Sequence, residues 1–257
     1  AEMPDTNAKE GITKYAVRLG DDALILGHRL SEWCSSAPFL EEDLALTNVA
    51  LDFIGRARMF YSYAAELTGG DCTEDSFAYL RDCRDFTNLL IHELPRGDFA
   101  FTMARQYLVD EYNLRYMERL LDSADETLAA IAAKAIKESR YHLRRSRDWV
   151  VRLGDGTDES RARLQSAVED LWGYTPEMFE MDDLETGLAD AGIAVDSTAL
   201  KPGWESAVRA TFAEATIELP EGDWAVRGGR QGMHTESLGH LLSDLQFMQR
   251  AYPGLQW

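Results

Sequence analysis

The sequence predicts an all-α protein, a bundle of long helices. Apolar residues recur three and four positions apart over several long stretches, no stretch alternates with a period of two, and glycine or proline falls at the ends of the periodic stretches. A chain of 257 residues can bury a substantial core without disulfides. Residues 1–10 show no such periodicity and are expected to be a disordered tail, with residues 11–257 forming a single helical domain.

The first helix is expected over 12–37, where Ala23, Leu26, Leu30, Trp33 and Ala37 make one stripe and Pro38 ends it. The second spans 41–68 and stops at Gly69-Gly70. A third and weaker one spans 75–94, ahead of Pro95-Arg96-Gly97. Asp98 is placed to cap a helix running to about Asp122. Another spans 124–153 and closes at Gly154-Asp155-Gly156, and Thr157 or Asp158 caps the next as far as Trp172. Thr175-Pro176-Glu177 has the form of a cap followed by a first turn. Asp196 or Ser197 opens a helix through Glu218, a glycine-rich loop covers 220–232, and a last helix runs from about Thr235 to Ala251.

The net charge of −19 argues against nucleic acid and anionic membrane surfaces as partners. Three cysteines with no CxxC pair fit a reducing cytoplasm. No apolar run has the length of a membrane span, and the N-terminal residues lack the apolar core of a leader. A soluble cytoplasmic protein is therefore expected.

The informative residues are polar ones inside apolar stripes. On the second helix Leu46, Val49, Phe53, Arg56, Phe60 and Tyr63 share a face, and Arg56 breaks it with a charge. The helix after Asp98 repeats this with Ala100, Met103, Tyr107, Asp110, Leu114, Met117 and Leu121. The helix after Ala124 places Ser139, His142 and Ser146 among Leu128, Ala132, Ala135, Trp149 and Leu153. Glu32 stands at the edge of the first stripe. Four mid-helix polar groups resemble the central layer of a carboxylate-bridged di-metal bundle, which takes a carboxylate from each of two helices and Glu-x-x-His from each of two others. The pattern is broken. Phe53 and Arg56 occupy one Glu-x-x-His pair and Ser139 and His142 the other, with Glu138 one position early. Glu32, Asp110 and His142 remain as ligand types, and Arg56 is expected to stand in for the cation by pairing with Glu32 or Asp110. The layer Glu32, Phe53, Arg56, Asp110, Ser139 and His142 thus reads as a vestigial metal site, with no catalytic or metal-binding residue of its own.

Four segments carry a family resemblance: LGDDALILGHRLSEWCSSAPFLEEDLALTNVALDFIGRARMFYSYAAEL, ARQYLVDEYN, KAIKESRYHLRRSRDWVVRLGDGTD and GMHTESLGHLLSDLQFMQRAYPGLQW. They resemble the PaaC subunits of phenylacetyl-CoA epoxidase from about Lys14 to Trp257. The resemblance implies a ferritin-like fold and a component of a bacterial multicomponent monooxygenase of aerobic phenylacetate breakdown. It implies a non-catalytic role beside a sister subunit, PaaA, whose di-iron centre epoxidises the ring of phenylacetyl-CoA. It also implies the small PaaB subunit and the PaaE reductase, which draws on NADPH, FAD and an iron–sulfur cluster. A homodimer is the alternative for the isolated chain.

Other features have competing explanations. Lys137, Arg140, Arg144 and Arg147 form a basic stripe, either a solvated face or a dock for an acidic subunit or CoA phosphates. The segment from His234 to His240, which includes Thr235 and Glu236, lacks a zincin spacing and reads as a cap of the last helix or a contact with the glycine-rich loop. That loop, from Arg227 to Gly232, is not a Walker motif, and contact with a CoA tail or a partner is its functional alternative. His92 is expected to face a helix C-terminal dipole. A partner-binding surface is expected on the first two helices around Trp33, Phe39, Phe60, Tyr61 and Tyr63. The functional alternatives to a scaffold subunit are an autonomous di-metal oxygenase and a stand-alone acyl-CoA-binding protein.

Overall fold

The computed structural model describes residues 6–222 and 224–255. Among them are ten α-helices and no strand, as the periodicity predicts. They are α1 (Thr6–Ser31), α2 (Leu40–Thr68), α3 (Glu74–Tyr79), α4 (Leu90–Glu93), α5 (Phe99–Leu120), α6 (Glu126–Gly154), α7 (Asp158–Trp172), α8 (Asp183–Asp190), α9 (Lys201–Glu214) and α10 (Glu236–Ala251). Contacts gather into two compact units: residues 1–34, 44–95 and 228–257 form the first, and residues 35–43 and 96–227 the second.

Several boundaries differ from expectation, among them the helix expected through Glu218, which opens with a 3-10 turn at Ser197–Leu200 and ends at Glu214. Helix α1 starts at Thr6, inside the stretch expected to be a tail; residues 1–5 lie outside the described residues. It also ends at Ser31, so Glu32 and Trp33 sit in the turn beyond it. The third expected helix, 75–94, is broken into α3, a 3-10 turn at Cys83–Asp85 and α4. The reason is tertiary. The Thr87 and Leu89 N–H groups donate to the carboxylates of Asp21 and Asp22, both at 2.8 Å, rather than to carbonyls four residues back.

In the first unit α1 packs against α2 through two glycines. A Cβ at Gly27 would lie 3.2 Å from the Ala50 carbonyl oxygen, and one at Gly20 would enter the Tyr61 ring. The core-facing stripe of α2 is buried from Leu46 to Phe60, Arg56 included, and Tyr63 is half-buried.

The second unit is built around α5, whose residues 102–112 are all buried. Helices α6, α7 and α9 pack on it. Asp98 caps α5 by accepting the Phe101 N–H at 2.8 Å, and Thr157 and Ser160 cap α7 reciprocally. Trp204 of α9 donates to the Leu108 carbonyl at 2.9 Å, and Tyr107 meets Phe212 edge-on at 5.5 Å. The start expected at Thr175 is a single 3-10 turn, Pro176–Phe179.

Gly154, the last residue of α6, has no room for a side chain. A Cβ there would collide with the Ala215 carbonyl oxygen, which is backbone and cannot turn aside. Gly154→Ala is expected to destabilise the protein by about 1–3 kcal/mol, the usual cost of overpacking. Urea melts of the variant and the wild type measure this, and an unchanged midpoint would contradict it.

Candidate functional site

The polar residues singled out in the sequence are deeply placed. Asp110, Ser139 and His142 are each at most 2% exposed in the second unit, as is Arg56 in the first. The Asp110 carboxylate accepts from Gln106 Nε2 at 2.7 Å and from Ser146 Oγ at 2.8 Å, so each of its oxygens holds a neutral donor. The Arg56 guanidinium lies over the Phe53 ring at 4.9 Å. Glu32 is partly exposed just past the end of α1 and accepts from Arg29 Nη1 at 2.6 Å.

These donors do not fit a di-iron centre. Phe53 offers no ligand atom, Arg56 is a fixed cation, and Asp110 already serves an amide and a hydroxyl. Among the described residues no three His, Cys, Asp or Glu side chains come together in a way that could hold a metal ion.

The richest polar cluster lies instead in the first unit. It is built on Asp21 and Asp22 of α1 and Glu93 of α4. Asp21 is fully buried; it accepts from Tyr61 Oη at 2.6 Å, from the Thr87 N–H, and from the Arg81 guanidinium, whose Nη1 lies at 3.1 Å. Asp22 accepts from Arg230 Nη2 at 2.9 Å, from the Leu89 N–H, and from His92 Nδ1 at 3.2 Å. Burial alone would raise the Asp22 carboxyl, but the Arg230 and His92 charges and hydrogen bonds hold it down at about 2.

Glu93 accepts from His234 Nδ1 at 2.7 Å, from Asn88 Nδ2 at 2.9 Å and from the Thr235 N–H at 2.6 Å. His234 Nε2 lies 2.7 Å from the Phe86 carbonyl oxygen. A carbonyl only accepts, and an ionised carboxylate only accepts, so both ring nitrogens of His234 carry protons. Burial opposes that charge; the bonds to Glu93 and Phe86 outweigh it and raise the imidazole above its ordinary range. Arg29 completes the cluster by donating to the carbonyls of Glu93, at 2.8 and 3.0 Å, and Ser237, at 3.0 Å.

This arrangement fixes the glycine-rich loop and the start of α10. It also revises one expectation: His92 meets Asp22. Thr235 stands at the N-cap position of α10, within the segment expected to cap it; its side chain makes no capping bond, and Glu93 accepts its backbone N–H. Gly232, with φ at 73°, presses on the Arg84 carbonyl where no Cβ could stand.

Two further candidate surfaces are in the second unit. Of the basic stripe on α6, Arg140 lies 3.5 Å from Glu118, Arg147 pairs with Glu214, Arg144 packs over Tyr141, and Lys137 is exposed. A cleft of about 1200 Å³ is lined by Trp172, Phe179, Trp204 and Trp224. Three cations line it: Lys201, 3.9 Å from Glu205, Arg227, 2.5 Å from Glu180, and the exposed Arg209. The aromatic surface expected around Trp33 is largely internal: Trp33, Phe60 and Tyr61 are buried, and Phe39 alone of the five is exposed.

The class is therefore an all-α helical protein with a paired, buried charge network and no metal-ligand cluster among its described residues. The chain belongs to the phenylacetic acid catabolic protein family, whose model matches residues 1–257. It is 51% identical over 247 residues to the C subunit of 1,2-phenylacetyl-CoA epoxidase of Escherichia coli (strain K12), a match covering 96% of this chain and 99% of that one. No helix among the described residues is long and apolar enough to cross a membrane.

The His234 pair has a pH signature. Its pKa is raised on folding, so its contribution to stability is complete below the unfolded imidazole value of about 6.5 and is lost as pH rises through the higher folded value. Urea midpoints taken from about pH 6 to about pH 9 should fall for the wild type and stay flatter for His234→Gln. Parallel profiles for the two proteins would contradict the doubly protonated ring. Arg56→Ala is expected to lower stability by about 3–5 kcal/mol, as removal of one member of a buried charged group does. A loss below about 1 kcal/mol would mean a solvated guanidinium.

Proposed function

We propose that this chain is a structural, non-catalytic subunit of a phenylacetyl-CoA epoxidase, and that it binds and steadies the di-iron PaaA subunit that epoxidises the ring of phenylacetyl-CoA. The observation that carries the reading is the chemistry at the positions of the di-metal pattern. Arg56 and Phe53 stand where one ligand pair belongs, and the Asp110 carboxylate is committed to Gln106 and Ser146. Membership of the family and 51% identity to the Escherichia coli epoxidase component support the assignment to this complex.

On this reading the chain holds no cofactor. Iron belongs to PaaA, while NADPH, FAD and the iron–sulfur cluster belong to the PaaE reductase; PaaB completes the assembly in the cytoplasm. What the chain contributes is a rigid surface. Its inward carboxylates Asp21, Asp22, Glu93 and Asp110 each hold donors supplied by the chain itself.

Co-expression with PaaA, followed by size exclusion, metal analysis and an epoxidase assay, tests this. The two chains should co-elute, iron should accompany PaaA alone, and epoxidation should require both. Two irons per chain in the isolated protein, or turnover of phenylacetyl-CoA by it alone, would favour the autonomous oxygenase. Calorimetric binding of phenylacetyl-CoA to the isolated chain would favour the acyl-CoA-binding alternative.

A further inference from the structure

The segment 228–255 is held to the rest of the first unit largely by polar groups. The chain reaches it at the boundary between the two units, which falls between Arg227 and Gly228. Gly228, with φ at 128°, supplies the turn by which the chain enters. Of the 16 residues of α10, Leu238, Leu241, Leu242 and Gln246 are buried, while Phe247 and Met248 are exposed. Its other ties are hydrogen bonds and ion pairs. Arg230 donates to Asp22 at 2.9 Å and to the Thr87 carbonyl at 2.7 Å. His234 bridges Glu93 and the Phe86 carbonyl. Gln246 Nε2 donates to the carbonyls of Ala78 and Arg81 at 3.1 and 3.0 Å. Arg250 donates to the Arg81 carbonyl and the Asp82 carboxylate, both at 2.9 Å.

Ties of this kind release together more readily than a packed core does. A hydrogen bond that opens is exchanged for one to water, and a segment with few buried apolar side chains opens ahead of the rest of its unit. Among the ties named, only His234 changes charge near neutral pH. Facing its ring are Glu93 of α4 and Asp21 of α1, and Asp21 is itself answered by Arg81. Arg29 of α1 stands beside them on the Glu93 carbonyl. The Cys83 thiol, pushed up by burial and then by Glu93, stays neutral where the imidazole titrates. Both ring nitrogens of His234 donate, so loss of one proton leaves a bare lone pair against either the Glu93 carboxylate or the Phe86 carbonyl oxygen.

We propose that residues 228–255 are a clasp that opens as one piece while α1 and α2 stay folded, and that loss of the His234 proton loosens it. The bonds to Glu93 and Phe86 exist only in the closed form, so the closed form holds the proton more tightly than the open one. Protons therefore favour closure, and opening increases as pH rises through the range in which the imidazole titrates. A single proton limits the change in the opening constant to about tenfold per pH unit. The Asp22–Arg230 tie keeps its charges throughout this range, since the Asp22 carboxyl is held at about 2. The clasp is a property of this chain alone and stands apart from the scaffold reading.

Hydrogen exchange of the full chain from about pH 6 to about pH 9, read by mass spectrometry and corrected for intrinsic rates, tests this with α2 as the internal reference. Protection of α10 around Leu241 should be more than about tenfold below that of α2 around Phe53 and Phe60 at every pH. It should fall further as pH rises, and His234→Gln should flatten that fall. Arg250→Gln removes a tie that does not titrate in this range. It should lower α10 protection and keep the wild-type slope. Opening constants for α10 and α2 within about twofold of each other at every pH overturn the clasp, because 228–255 then opens only with the whole unit. An α10 slope as shallow in wild type as in His234→Gln overturns the role given to the proton. Should His234→Gln not fold, α10 protection independent of pH in both wild type and Arg250→Gln overturns it equally.

Discussion

Asp21 and Asp22, neighbours in the middle of α1, are the constraint to which the irregular parts of the first unit are fitted. Two adjacent residues on a helix point about 100° apart, so they cannot share a set of partners. Each therefore gathers its own: Tyr61, Arg81 and Thr87 for Asp21; Leu89, His92 and Arg230 for Asp22. A buried carboxylate without such partners would cost several kcal/mol. The chain between α3 and α4 and the glycine-rich loop before α10 take the shapes that deliver these donors. Arg81 also lies over the Phe86 ring at 4.1 Å, which places a cation and an aromatic residue of the same loop together above Asp21.

The difference between what was legible in the sequence and what was not follows from the range of the interactions. The α2 stripe is a local pattern: spacing alone identifies Leu46, Val49, Phe53, Arg56 and Phe60 as one face, and all five are buried. Caps are local too, and Asp98 and Thr157 cap the helices they precede. The stretch 75–94 reads as a helix because its local pattern is tolerable, yet Asp21 and Asp22, more than 60 positions away, take its backbone donors at Thr87 and Leu89. No window of the sequence contains both ends of that competition. The same holds for Arg230, which meets Asp22 across 208 positions, and for His234, which meets Glu93 across 141.

Surface features misled for a related reason. Aromatic residues near one another on α1 and α2 suggest an outward patch, but Tyr61 turns inward because its hydroxyl completes the Asp21 shell and Gly20 leaves space for its ring.

Buried charge is met here in a different way from that of a di-metal bundle. In a di-metal bundle the ions hold several inward carboxylates together, and removing the ions leaves like charges facing one another. Here Asp21, Asp22, Glu93 and Asp110 are each answered by donors of the protein. Asp110, buried in α5, accepts from the Gln106 amide and the Ser146 hydroxyl. Asp21, Asp22 and Glu93 take arginines or a protonated histidine, at least one cation for each carboxylate. These cations come from just after α3, from the glycine-rich loop and from just before α10, so neutralising the acids and closing the first unit are the same event.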